Sequence, residues 1–302
     1  MRVLIVGCGY VGVPLGAQLV RLGHEVFGLH RSLAAENELK AVGIQPLVAD
    51  VTKPETLAKL PHEFDWVVNC VAAGGDAENY RAVYFQGTRN LIDWLSTNPP
   101  KKFVYTSSTS VYAQNDGSSV NESSPTEPVA ETSKILVETE KVLLAAAAER
   151  KFPAVILRVA GIYGPDRGHW FKQFLKNAAR IEGDGSRNLN MIHRDDLVGG
   201  IVAALKSGRV GEIYNAVDDE PVSQKNFFDW LGGTLGKYPP PSAPENSIED
   251  RKRGVTNKRV SNRRLKMELG CQFKYPNFRI GYSAEILRLK RAGELHVEPD
   301  VR

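Results

Sequence analysis

The sequence predicts an α/β protein: a doubly wound parallel sheet followed by a smaller C-terminal part. Three observations carry that prediction. Short apolar runs alternate with helical patterns through the first half of the chain. The first of these runs passes directly into a glycine-rich turn, GCGYVG at 7–12. After about residue 160 the alternation loosens, and glycine, proline and basic residues become frequent. Strands that alternate with helices imply a parallel sheet, because each crossover lays a helix across the sheet face.

The elements follow in order. RVLIVG, HEVFGLH, IQPLVAD, FDWVVNC, KKFVYTSS and PAVILRV each read as a buried strand. Each is short, carries valine, isoleucine or aromatic residues, and is bounded by turn residues. Amphipathic spacing between them predicts helices over 10–22, 32–41, 76–96 and 131–150. Beyond residue 160, GIYGPDRG reads as a loop, 169–180 as a helix, IEGDGSRN as a turn and 194–206 as a helix. GEIYNAV reads as a last strand, PVSQKNFFDWLGGTLG as a helix and YPPPSAPENS as a proline-rich loop. The remainder is basic and helical in pattern. The expected division is a sheet domain over 1–163, rejoined by 193–217. A smaller part over 164–192 and 218–302 closes a cleft above it.

Composition limits what such a chain does. With 302 residues, 42% of them hydrophobic, it builds one large core or two smaller ones. A net charge of +4 argues for neither nucleic acid nor a membrane surface. Cys8, Cys70 and Cys271 stand far apart with no C-x-x-C, so neither a disulfide framework nor a metal site is expected. That usage fits a reducing cytoplasm. The apolar start resembles a signal peptide, but glycines and Pro14 break it early. No run elsewhere is long enough to span a bilayer.

Gly7-Cys8-Gly9-Tyr10-Val11-Gly12 lies between a predicted strand and a predicted helix. In that context the first glycine makes the tight turn, the second lets the backbone approach a pyrophosphate, and the third lets helix and strand pack closely. The helix N-terminus then faces the phosphates. The end of the second strand reports on the ribose. An NAD site usually places a carboxylate there to accept from the 2′-hydroxyl. This chain has Leu29-His30-Arg31-Ser32 instead. Arg31 pairs with a 2′-phosphate where a carboxylate would repel it, so the sequence points to NADP(H) over NAD(H).

Six segments now occur in one order: residues 1–12, VADVT (48–52), FVYTSSTSVYA (103–113), LRVAGIYGPDRG (157–168), NMIHRDDL (190–197) and IYNAVDDEP (213–221). Together they resemble the extended short-chain dehydrogenase/reductases, the NAD-dependent epimerase/dehydratase group, over nearly the whole chain. The G-x-G-Y-V-G form resembles an atypical branch of it. The resemblance implies a Rossmann fold, with Asp50 and Val51 at the adenine and Ala72 and Ala73 along the cofactor path. Ser108 matches the family's catalytic hydroxyl. Lys134 matches the catalytic lysine that holds the nicotinamide ribose. The family's tyrosine belongs four residues earlier, where this chain has Ala130, and no Y-x-x-x-K occurs anywhere in the sequence.

Hydride transfer to a carbonyl needs a proton donor. Tyr112 and Thr132 are the nearest replacements by sequence. Otherwise the reaction needs little acid assistance, or the protein binds cofactor as a silent regulator or scaffold. After Ser108 the family's dehydratases carry an Asp-Glu pair, and here Thr109-Ser110 stand instead, which argues against that elimination route.

On the substrate side, Tyr112, Arg167 and His193 are the candidates. The run RKRGVTNKRVSNRRLK at 251–266 holds eight basic residues and no acid. It reads either as a solvated surface or as a site for an anionic substrate such as a nucleotide diphosphate. The expected partner is a small molecule such as a nucleotide sugar. The helix over 131–150, with its Ala145–Ala148 run, offers a homodimer surface.

Overall fold

The computed structural model describes residues 1–244 and 256–296. Its centre is a seven-stranded parallel sheet: β1 (Arg2–Val6), β2 (Glu25–His30), β3 (Gln45–Val48), β4 (Trp66–Asn69), β5 (Lys102–Ser108), β6 (Ala154–Val159) and β7 (Ile213–Ala216). The order across the sheet is β7-β6-β5-β4-β1-β2-β3. Register is fixed on both sides of β1, where Val3 lies opposite Val26 on one flank and Trp66 on the other. All six predicted strands of the first half are present, with GEIYNAV as the edge strand β7 against β6.

Helices cover both faces, which is why the strands are almost uniformly apolar rather than alternating. Val3, Leu4, Ile5 and Val6 are all completely buried. Each such side chain contributes roughly 1.5–3 kcal/mol on burial. On one face, helices Gly12–Arg21, Arg194–Ser207 and Arg263–Leu269 bury Leu15, Leu19, Leu197, Ile201 and Leu265. On the other, residues 77–95 and helix Glu131–Arg150 bury Tyr80, Leu91, Ile135 and Leu143.

Several boundaries move from expectation. The first helix begins at Gly12 because Tyr10 and Val11 belong to the glycine turn. The stretch over 32–41 splits into a single turn, Leu33–Ala35, and a short helix, Glu36–Ala41. The long helix over 76–96 starts on Asp76, whose carboxylate accepts from the Asn79 N–H, and widens into a π-helical segment at Arg81–Gln86. GIYGPDRG is not wholly loop: Gly161–Tyr163 pairs in parallel with Met191–His193. The helix over 169–180 stops at Leu175, and Asn177 turns left-handed at φ 54°.

The C-terminal elements build a third apolar cluster. Tyr163, Phe171, Phe174, Phe227, Phe228, Phe278 and Tyr282 meet there, with Tyr163 and Tyr282 stacked at 4.5 Å. Helices Gln224–Leu235 and Phe278–Ala292 supply much of it. The end of the YPPPSAPENS loop and the first part of the basic run lie outside the described residues. Among the described residues no helix is long and apolar enough to cross a membrane.

Candidate functional site

Sheet order reverses between β1 and β4, and the crevice outside the carboxyl ends of strands at such a switch is where open α/β sheets bind ligands. A cleft of about 710 Å³ opens there. Gly7, Gly9, Tyr10 and Val11 line it, straight after β1.

The three glycines differ physically. Gly7 has φ +86°, and a Cβ there would sit 2.7 Å from the Val71 backbone. Gly12 is open in conformation but closed in space: a Cβ would meet the Gly7 carbonyl oxygen at 2.8 Å and Ile5 at 3.1 Å. A Cβ on Gly9 would meet nothing within 4 Å and would project into open space. Turn, packing and open approach are the three demands of a dinucleotide's pyrophosphate, so these residues fit that group.

From the glycine turn the cleft runs past Leu29, His30 and Arg31 at the end of β2, and past Asp50 and Val51 after β3. His30 Nε2 sits 2.7 Å from the Cys8 carbonyl oxygen, tying the strand end to the turn. Arg31 is exposed and makes no hydrogen bond or ion pair among the described residues. Asp50 accepts from the Thr52 backbone N–H at 3.0 Å and from its hydroxyl at 2.8 Å. Ala72 and Ala73 line the next stretch, where the Ala73 N–H donates to the Tyr84 hydroxyl. Ser108, Thr109 and Ser110 follow at the end of β5.

A family model described as NAD dependent epimerase/dehydratase matches residues 3–216. The chain belongs to that family. Protein YeeZ of Escherichia coli K12 is 28% identical over 291 residues, covering 91% of this chain and 97% of that protein. The 4-hydroxy-2-methyl-3-oxo-4-farnesyl-3,4-dihydroquinoline-1-oxide ketoreductase of Stigmatella aurantiaca is 29% identical over 78% of this chain and 74% of that one. Among solved structures, a functionally unknown conserved protein from Silicibacter pomeroyi is 26% identical with a TM-score of 0.78, covering 95% of this chain and 98% of that one.

As an epimerase/dehydratase family member the chain arranges its other candidates unevenly. Ser108 lines the cleft, and its side chain accepts from the Ser110 N–H at 3.2 Å. Arg167 also lines it, its guanidinium 4.9 Å from the Tyr10 ring centre. Ser32 is exposed and does not line the cleft, whereas its neighbour Arg31 does.

Four of the sequence candidates stand outside the cleft lining. Tyr112 does not reach the cleft. Its hydroxyl donates to Asn215 at 2.8 Å and accepts from Arg158 at 2.9 Å, and its ring is fully buried beneath that guanidinium. Burial pushes its acidity down, the opposite of what a proton donor needs. His193 is core: its Nδ1 accepts from the Asp195 N–H at 3.1 Å, and its ring lies 3.8 Å from that of Tyr275. Lys134 is about half exposed and pairs with Glu131 at 3.6 Å, away from the cleft wall. Thr132 is buried in the same helix and does not line the cleft either.

Among the cleft residues that sequence reading did not single out are Arg187 and Lys258, the latter read only as part of the basic run. Lys258 stood inside the basic run, where nothing local separates a buried lysine from its exposed neighbours. Arg187 looked like one polar residue of a turn. Missed too was the Tyr10 hydroxyl, which donates to the Pro165 carbonyl at 3.0 Å across 155 residues of chain.

Proposed function

We propose that the cleft binds NADP(H) in preference to NAD(H). The bound pair then serves an oxidoreductase or epimerase reaction on a nucleotide sugar or a related small carbonyl or alcohol. Arg31 carries the cofactor preference: it stands at the cleft edge after β2 with no ion pair among the described residues, where a 2′-phosphate would supply one. Kinship with a ketoreductase supports carbonyl chemistry. Asp50 and Val51 hold the adenine end, and Ala72 and Ala73 flank the path toward Ser108. Ser108 orients the substrate oxygen. NADP(H) supplies the hydride chemistry when bound. The smaller part, 164–192 and 218–302, forms the substrate side, with Arg167 within it.

A second reading has its own observation. Ala130 stands where the family's tyrosine belongs, and Tyr112, the nearest replacement in sequence, is locked in the core. A protein without that acid can bind the cofactor and act as a silent regulator or scaffold.

Fluorescence titration with NADPH and NADH tests the first step. Charge-assisted contacts are worth about 1.5–3 kcal/mol, or roughly tenfold and more in affinity. Arg31→Ala is expected to weaken NADPH by that factor and leave NADH nearly unchanged. Turnover of nucleotide sugars and ketones, followed by nicotinamide absorbance, separates the enzyme from the regulator. Equal affinities for the two nucleotides, insensitive to Arg31, would remove the NADP(H) preference.

A further inference from the structure

The family's tyrosine is absent from its place at Ala130, yet phenols line the cleft: Tyr10, Tyr84, Tyr163 and Tyr282. Three of them are committed elsewhere. The Tyr10 hydroxyl donates to the Pro165 carbonyl, and that of Tyr163 to the Asn277 carbonyl at 3.3 Å. Tyr282 is packed in the C-terminal aromatic cluster, where burial pushes its phenol far up. Tyr84 differs. Its oxygen accepts from the Ala73 N–H at 3.2 Å, and its own proton has no acceptor among the described residues. A phenol both donates and accepts, so its donor half is left for a ligand.

Tyr84 lies in the π-helical segment Arg81–Gln86, and its neighbour Val83 lines the cleft with it. Such widened turns occur frequently at functional sites. Ala73 follows β4, and Ser108 ends β5, the strand beside it. Arg31, after β2, stands on the other side of β1. A dinucleotide laid across the switch point with its adenosine at Arg31 puts its nicotinamide on the β4–β5 side, toward Tyr84 and Ser108. The charges around this segment are spent on one another or lie at the surface. Arg81 pairs with Glu138 at 2.7 Å and Lys134 with Glu131 at 3.6 Å, both on the helix packed against it. Glu140 of that helix pairs with Arg158. Asp76, Glu78 and Arg89 are exposed, and burial pushes the Cys70 thiol up, which keeps it neutral. The charge left to act on the Tyr84 phenol is that of a bound cofactor.

We infer that Tyr84 is the catalytic acid of the cleft, donating its phenolic proton to the carbonyl oxygen of the substrate in place of the family's tyrosine. This rests on the oxidoreductase reading proposed above. NADP(H), when bound, supplies the hydride. As the new C–H bond forms at the carbonyl carbon, the C=O π pair moves onto oxygen, and that oxygen takes the Tyr84 proton. The phenol O–H bond breaks, the phenolate keeps the pair, and solvent returns the proton. The carbon gains the two electrons that the cofactor loses. The Ala73 N–H holds the phenolate, and a hydrogen bond donated to the charged form favours it.

The first test is ultraviolet titration of tyrosinate in the whole protein, with and without NADP+. It compares wild type, Tyr84→Phe and, as a control, Tyr238→Phe, whose ring is exposed. Oxidised nicotinamide is positively charged, so the proton affinity of one tyrosine is expected to fall roughly tenfold or more on NADP+ binding. That change should persist in Tyr238→Phe and vanish in Tyr84→Phe. The second test is reduction of ethyl benzoylformate, an activated ketone, and of nucleotide sugars by NADPH. Positioned acids contribute about 100-fold or more, so Tyr84→Phe should lose that factor in kcat and bind NADPH as wild type does. The wild-type rate should fall as pH rises through the ionisation seen by absorbance. Tyr84→His keeps a donor of lower pKa, so it should recover part of the rate and lose it at lower pH. No tyrosine moved by NADP+ in wild type overturns the inference even if neither variant folds. So does a change that persists in Tyr84→Phe, a rate indifferent to Tyr84, or a wild type that binds NADPH and reduces nothing. Failure to bind NADPH removes the cofactor reading itself, so the two failures are distinguishable.

Discussion

Gly7 and Gly9 stand two residues apart and respond to the same substitution in opposite ways. Gly7→Ala forces a side chain into the left-handed region and against the Val71 backbone. Strain of that kind costs about 1–3 kcal/mol, so the variant should melt earlier. Gly9→Ala meets no protein atom. It should melt with the wild type yet bind NADPH poorly, because its methyl occupies the space a pyrophosphate needs. Thermal melts paired with nucleotide titrations check both, and normal binding by Gly9→Ala would place the pyrophosphate elsewhere. The placement of Gly7, Gly9, Arg31, Asp50 and Ser108 along the cleft was legible in the sequence because each stands at or just after a strand end. Tyr112 and His193 were not. Their burial is decided by Asn215, Arg158 and Tyr275, partners brought in by pairings that no local pattern records.

Helix Arg194–Ser207 shows what an element asks of one side chain. His193 caps it, and the cap requires an unprotonated Nδ1 to accept the Asp195 N–H. Burial pushes the imidazole down from its ordinary 6.5 to about 4. A folded-state value below the unfolded one means the contribution is complete above pH 6.5 and is lost as pH falls toward 4. At about 1.4 kcal/mol per unit this amounts to roughly 3 kcal/mol. Urea unfolding near pH 7 and near pH 5 should show about 2 kcal/mol of that loss in wild type. His193→Asn, which caps without titrating, should lose that share of the acid sensitivity. An unchanged pH slope in the variant would mean another group carries it.

The strands were legible for a related reason: an apolar run covered on both faces needs no partner to announce itself. One apparent exception is Arg158, next to the end of PAVILRV, which is buried and held by Glu140 of helix Glu131–Arg150 at 2.7 Å. The π-helical segment at Arg81–Gln86 was not legible, since RAVYFQ contains no glycine or proline to mark it.

Across the whole molecule, charge proved harder to read than hydrophobicity. The basic run at 251–266 looked free of acids only along the chain. In space Arg264 pairs with Glu212 and Glu268, and Lys266 with Asp219. Two of the five basic residues in its described portion are thus neutralised from elsewhere, and Lys258 is left inside.

The Tyr10–Pro165 hydrogen bond joins the middle of the glycine turn to the loop after β6, and Arg167 and Arg194 lie against the same ring. This makes the tyrosine a latch as well as part of a turn. Its consequence is kinetic. A dinucleotide passing Tyr10 must part the two sides there whether it enters or leaves, so the latch slows both steps. Tyr10→Phe removes the hydrogen bond and keeps the ring. In stopped-flow mixing and displacement it should bind and release NADPH several-fold faster, shortening residence time with little change in affinity or in the shape of the fold.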